Sequence, residues 1–247
     1  MPAISIVNQK GGTGKTTTTI NLSVALASLG KSVLVVDLDP QGNLGYSFGL
    51  ESGNSIAEVL DGSAALENTI QEKEGVFIIP ADMKLVDLEL SLADVEDRHS
   101  FVKNKLHGEF GKYDYILFDC PPSLSVLSIN ALFASDYVII PMLMEVLSLQ
   151  GLDQILDTIS KMNNAYEKQL KVLGILPVMV DKRRKLSEEV KDHIKDNYDV
   201  NIFNSYIRNN VKASEAPSFG TSVITYAPTS NSAKDYSLFA KELVALI

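Results

Sequence analysis

Eight consecutive residues, Lys10-Gly11-Gly12-Thr13-Gly14-Lys15-Thr16-Thr17, carry the clearest chemistry in this 247-residue chain. Glycines let a backbone pass close to a ligand, and successive N–H groups in such a turn converge on an anion. The ending Gly14-Lys15-Thr16 narrows the anion to a polyphosphate: an ammonium reaches the β and γ oxygens, and a hydroxyl is placed to hold Mg²⁺. Three carboxylates complete the set. Asp37 and Asp39 stand in Asp37-Leu38-Asp39-Pro40-Gln41-Gly42-Asn43, and Asp119 opens Asp119-Cys120-Pro121-Pro122-Ser123. Carboxylates beside a phosphate loop place Mg²⁺ and polarise an attacking water. Pro121-Pro122 stiffens the turn after Asp119, which suits a segment that senses the γ-phosphate.

The pattern between these residues brings them to one place. Residues 3–7 are a β-branched apolar run of strand length, and residues 16–29 carry Ile20, Leu22, Ala25, Leu26 and Leu29 at helical spacing before Gly30 closes the helix. Residues 32–37 and 113–118 are strands that run into Asp37 and Asp119, and 76–80, 137–141 and 172–180 read as further strands. Helical patterns cover 55–60, 84–94, 123–134, 147–165, 187–197 and 233–246, the last with Leu238, Phe239, Leu243 and Leu246 as a core-facing stripe. Strands alternating with helices imply right-handed crossovers, hence an α/β fold with a mainly parallel sheet and helices on both faces. Ligands of such sheets sit at the C-terminal strand ends, where the glycine loop, Asp37, Asp39 and Asp119 all emerge. No linker or repeat marks a second unit, so a single domain over 1–247 is expected.

Composition removes several classes. No apolar run approaches the ~18 residues of a membrane span. The first strand begins almost at once, so no signal peptide and a cytoplasmic location are expected. Cys120 is the single cysteine, which excludes an intramolecular disulfide or a cysteine-based metal cluster. A small buried filler is its expected role. His99 and His107 have no partner at metal-ligand spacing.

A net charge of −9 argues against nucleic acid as a whole, but the charge is uneven. Residues 1–160 carry 9 Lys+Arg against 21 Asp+Glu, whereas 161–247 carry 13 against 10. Lys182, Arg183, Arg184 and Lys185, followed by Lys191 and Lys195, supply a patch that could meet phosphates. Glu188, Glu189 and Asp192 interleave with it, so the same stretch also reads as a solvated loop and helix.

The glycine loop is not an ordinary P-loop: Gln9 stands where the first glycine belongs, and Lys10 precedes the glycine pair. This form resembles the deviant Walker A motif of the ParA/MinD ATPases. With residues 35–43, 118–125, 215–220 and Ala227-Pro228, the chain resembles the ParA (Soj-like) family of DNA-partitioning ATPases over nearly its whole length. The resemblance implies a P-loop NTPase fold, ATP and Mg²⁺ as cofactors, and a weak basal hydrolysis stimulated by a partner. It further implies a homodimer formed on ATP, nonspecific binding of double-stranded DNA on the nucleoid, and a ParB-like centromere-binding partner in plasmid or chromosome partition. Gly11, Gly12, Thr13 and Gly14 would then cradle phosphate. Lys15 would bind the β/γ-phosphates, Thr16 would hold Mg²⁺, and Thr17 would contact the α-phosphate. Asp39 would align or activate water, Asp37 would support Mg²⁺ and water, and Asp119 would be the Walker B carboxylate. Lys10 would reach across the dimer, Asn209 and Asn210 would approach the base, and Arg208 and Lys212 would join the DNA face.

Two departures stand out. The family often shows Ile-Pro-Arg-Asn where this chain has Ile207-Arg208-Asn209-Asn210, so the cation is displaced by one residue and the proline is gone. The glycine loop also begins within ten residues of Met1, so no N-terminal helix-turn-helix extension is expected. The alternative is a MinD-like or other ParA-type positioning ATPase acting on a protein or membrane-bound cargo. A membrane role needs a basic amphipathic tail. Only Lys234 and Lys241 are basic on the last helix, which reads as core packing, so no membrane partner is expected.

Overall fold

The computed structural model describes residues 1–92, 95, 97–181 and 185–247, and for Lys185 and Leu186 the backbone alone. Seven strands are described: β1 (Ala3–Ile6), β2 (Val33–Asp37), β3 (Gln71–Lys73), β4 (Val76–Ile79), β5 (Tyr115–Asp119), β6 (Tyr137–Met142) and β7 (Lys171–Pro177). They form one sheet in the order β3-β4-β2-β5-β1-β6-β7, parallel throughout except for the β3–β4 hairpin at one edge.

Strands β1, β2 and β5 are buried at every position, as a sheet covered on both faces requires. Their side chains alternate between two cores. Leu34, Val36, Ile116 and Phe118 face one, with α3 (Ile56–Asp61), α4 (Lys84–Ser91), α5 (Phe101–Lys105), α6 (Val126–Ala134), α7 (Leu147–Tyr166) and α8 (Lys185–Asn197). Val33, Val35, Ile4 and Ile6 face the other, with α1 (Lys15–Ser28), α2 (Asn43–Phe48), α9 (Val211–Glu215), α10 (Val223–Tyr226) and α11 (Asn231–Leu246). Truncating any of these aliphatic side chains to Ala would cost about 2–5 kcal/mol through lost transfer energy and cavity formation.

The expected strands and helices are present, with shifted ends and three misplaced residues. Leu29 is 39% exposed because it is the C-cap of α1, outside helical geometry. Leu238 and Leu246 are 58% and 51% exposed. The buried face of α11 is Ala233, Tyr236, Phe239, Ala240 and Leu243, and Leu238 lies about 100° round the helix from Phe239. Strand β7 stops at Pro177, and beyond it Val180 makes only an isolated bridge to Arg208. Helix α4 ends at Ser91, and Asp94 lies outside the described residues.

Candidate nucleotide site

The glycine loop leaves β1 and enters α1 at Lys15, with Gly14 left-handed at φ 73° as N-cap. No side chain caps this helix and no acid sits in its first turn, so its free N–H groups and dipole stay available to an anion. Side chains fix the loop from below. Asn8 donates to the Pro141 carbonyl at 2.7 Å and accepts from the Lys10 N–H at 3.0 Å. Thr13 is fully buried and donates to the Lys10 carbonyl at 3.1 Å. A Cβ built on Gly11 or Gly12 meets nothing within 4 Å, so that backbone faces open space of the kind a phosphate fills.

Parallel register assembles the carboxylates. Asp37 and Asp119 are direct partners on β2 and β5, and Ile6 of β1 pairs with Asp119 on its other side. Both carboxylates are fully buried, and one oxygen of each, Oδ2, has no hydrogen-bond partner. Asp37 Oδ1 accepts the Asp39 N–H at 3.0 Å, and Asp119 Oδ1 accepts the Thr19 hydroxyl at 3.0 Å. Burial, followed by the neighbouring Asp119, raises the Asp37 pKa well above its ordinary value. Asp119 is raised too, chiefly by burial, against hydrogen bonds from Thr16 and Thr19 and the nearby Lys15. Lys15 is itself buried, which lowers its pKa, and its Nζ lies 3.4 Å from the Lys10 carbonyl. Two buried carboxylates with orphaned oxygens beside one ammonium form a site short of positive charge. A divalent cation fits that need. Among the described residues no three His, Cys, Asp or Glu side chains converge to hold a metal alone. Mg²⁺ here would take most of its ligands from phosphate and water.

A cavity of about 460 Å³ opens over the loop. Gly11, Gly12, Gly14, Lys15, Thr16 and Thr17 line it together with Asp39, whose Oδ1 accepts the Gln41 N–H at 3.0 Å. An adjoining cavity of about 180 Å³ shares Gly14 and Thr17 and is lined by Met179, Arg208, Asn209, Asn210 and Tyr236. Asn209 and Asn210 therefore line the cavity that adjoins the loop. Sequence reading passed over Asn21, Asn43, Tyr46, Thr221 and Val223, which also line the larger cavity. Asn21, on the helix face one turn from Thr17, is the one that spacing could have flagged.

Other candidates are less free than their sequence suggests. Arg208 is held by Asp235, with Nη2 2.6 Å from Oδ1 and Nε 2.9 Å from Oδ2. Lys212 pairs with Glu215 at 2.7 Å and lies over the Tyr226 ring. Lys10 is 40% exposed, 3.6 Å from Glu145 of its own chain. Lys182, Arg183 and Arg184 lie outside the described residues, as does the side chain of Lys185. Cys120 is fully buried, and burial pushes its thiol up, so it is the inert filler expected.

Residues 1–172 match the AAA domain family AAA_31. The chromosome-partitioning ATPase Soj of Treponema pallidum (strain Nichols) is 39% identical over 241 residues, covering 97% of this chain and 95% of that protein. The sporulation initiation inhibitor protein Soj of Bacillus subtilis (strain 168) is 40% identical over 247 residues, 98% of each chain. This chain belongs to the ParA/Soj family of ATPases. A solved structure of cobyrinic acid a,c-diamide synthase from Mycobacterium smegmatis, with bound ATP analogue and magnesium, matches at TM-score 0.86 and 33% identity over 99% of this chain and 94% of that one. As a member of this family the chain is an ATP hydrolase.

Proposed function

We propose that this ATPase dimerises on ATP, binds double-stranded DNA without sequence preference, and drives plasmid or chromosome partition with a ParB-like partner. The observation that carries the reading is the rim of the phosphate loop. Lys10 holds a half-exposed ammonium there, loosely tied to Glu145, and the next two residues, Val146 and Leu147, are exposed apolar side chains. A cation and bare apolar surface beside a nucleotide suit a second copy of the chain, with Lys10 turning from Glu145 to the partner's phosphates.

Within each site the chain's own groups divide the work. Gly11–Gly14 N–H groups and the α1 N-terminus bind phosphate, and Lys15 holds the β/γ bridge as a point charge. Mg²⁺ held here would supply positive charge against the charge developing on the transferred phosphoryl group. Thr16 would hold the ion, with the buried negative charge of Asp37 and Asp119 behind it. Asp39, at the cavity edge, aligns the attacking water. Thr17 contacts the α-phosphate, and Asn209 and Asn210 face the base.

For DNA, Arg208 and Lys212 are already paired and Lys195 lies 3.8 Å from Asp192, so the reading draws on Lys191 and on the 182–185 run of the sequence. One such patch on a net-acidic chain binds weakly; two in an ATP dimer bind together through effective concentration. Nucleoid association would follow. A second reading, a positioning ATPase with membrane-bound cargo, draws on the exposed Leu238 and Leu246 on the helix that carries Lys234 and Lys241. No described helix is long and apolar enough to cross a membrane. Vesicle co-sedimentation separates the two readings.

Light scattering with ATP and with ADP tests the dimer. The wild type should dimerise with ATP only, and Lys10→Ala should bind ATP yet stay monomeric. An unchanged ATP dimer with unchanged hydrolysis in Lys10→Ala contradicts the cross-dimer role. Arg183→Glu with Arg184→Glu should weaken binding to every duplex and flatten the salt dependence by roughly 0.9 for each DNA phosphate no longer neutralised.

A further inference from the structure

The outer wall of the nucleotide cavity is held by a residue outside it. Glu74 sits at the tip of the β3–β4 hairpin with φ 52°, followed by Gly75 at φ 75°. Two successive positive φ values make a type I′ turn, where Asn-Gly is favoured and a glutamate is strained. A strained residue that persists is over-determined by its surroundings. Here the surroundings are four neutral donors on a distant segment. The Glu74 carboxylate accepts from the Ser222 N–H at 3.0 Å, the Ser222 hydroxyl at 2.5 Å, the Thr225 hydroxyl at 2.6 Å, and the Thr221 hydroxyl.

The next links run inward. The Val223 N–H donates to Asn21 Oδ1 at 2.8 Å, and Asn21 Nδ2 donates to the Thr17 carbonyl at 2.7 Å, in the first turn of α1. Thr221, Val223, Asn21 and Thr17 all line the cavity, and Glu74 does not. A second brace joins the same wall to the segment after Asp39. Gly49 and Gly220, both left-handed, lie back to back, and a Cβ on either would come within 3.0 Å of the other's Cα. Gly49 caps α2, whose Asn43, Tyr46 and Ser47 line the cavity too.

We infer that Glu74 is a positioning residue for the nucleotide: from the hairpin tip it fixes residues 221–225 against α1 and so sets affinity for Mg-ATP without entering the chemical step. The inference rests on the cavity being the ATP site.

Glu74→Asn tests it, because Asn-Gly is the preferred sequence for this turn and loss of affinity cannot then be blamed on a broken hairpin. Mg-ATP binding by calorimetry should weaken about tenfold, while kcat at saturating ATP stays within about twofold of wild type. In the nucleotide-free chain the Ser222 and Val223 amides should exchange at least about tenfold faster. Wild-type affinity together with wild-type amide protection in Glu74→Asn overturns the inference, as does a lowered melting temperature with unchanged affinity. If Glu74→Asn does not fold, Thr225→Val removes one of the four donors at an exposed position and should weaken binding about threefold. Unchanged affinity there overturns it equally. A wild-type protein that binds no Mg-ATP, by contrast, contradicts the reading of the cavity and leaves a separate signature.

Discussion

The phosphate end and the outer end of the nucleotide cavity are built in different ways. At the phosphate end, Lys10–Thr17, Asp37, Asp39 and Asp119 occupy the tips of adjacent parallel strands, and register alone brings them together. At the outer end, side chains tie distant segments: Arg208 to Asp235 across 27 residues, Glu74 to Ser222 across 148, Asn21 to Val223 across 202. On the proposed function, the first end places charge where bonds break and the second shapes the space around the rest of the ligand. Substitutions at the first should alter binding of phosphate or its chemistry with the fold intact. Those at the second should alter affinity and stability with chemistry intact.

Lys15→Ala should have the largest effect, a loss of ATP affinity of at least about 100-fold, since backbone N–H groups do not replace a desolvated ammonium. Calorimetry reads it, and near-normal affinity would remove the phosphate-loop assignment. Asp39→Ala should keep ATP affinity within a few-fold while single-turnover hydrolysis slows by about 100-fold or more, because alignment of water matters mainly in the transition state. Lost affinity with preserved turnover per bound nucleotide would place Asp39 among the binding groups instead.

At the outer end, Arg208→Ala leaves the nearly buried Asp235 unpaired. It should cost about 2 kcal/mol in urea unfolding and weaken ATP a few-fold. Arg208→Lys should not restore either, since an ammonium cannot reproduce the two-pronged contact. Full stability in Arg208→Ala would break the comparison.

The smallest effect is a control away from both ends. Burial alone would raise Glu58, but hydrogen bonds from Lys84 and Ser55 hold its pKa at about 2, below the ordinary 4.5. That stabilisation is present above pH 4.5 and is lost as pH falls toward 2, about 1 kcal/mol after allowing for solvent screening. Glu58→Gln should flatten this part of the acid-unfolding curve and leave ATP affinity unchanged.

Legibility in the sequence followed the same division. The phosphate end was readable because its chemistry lies in short strings at strand ends, and the alternation of strands and helices fixed where those ends meet. Strand β3, Gln71-Glu72-Lys73, was missed because an antiparallel edge strand with no buried residue carries no apolar signal. Helix α2 was missed because six residues between two left-handed glycines are too few for periodicity. Leu238 and Leu246 were misplaced because nearby leucines were counted as one stripe when only Phe239 and Leu243 share the buried face. Arg208 read as a free cation because its partner, Asp235, lies 27 positions away on α11. Glu74 drew no notice for the same reason: nothing in a local string reveals donors 147 to 151 positions away.

DNA co-sedimentation with unrelated duplexes under ATP, ADP and no nucleotide tests the proposed function most directly. The account predicts binding with ATP alone, of similar strength on every duplex and strongly weakened by salt, with Asp39→Ala holding the bound state longer than wild type. Equal binding in all three conditions, or none with ATP, would contradict it.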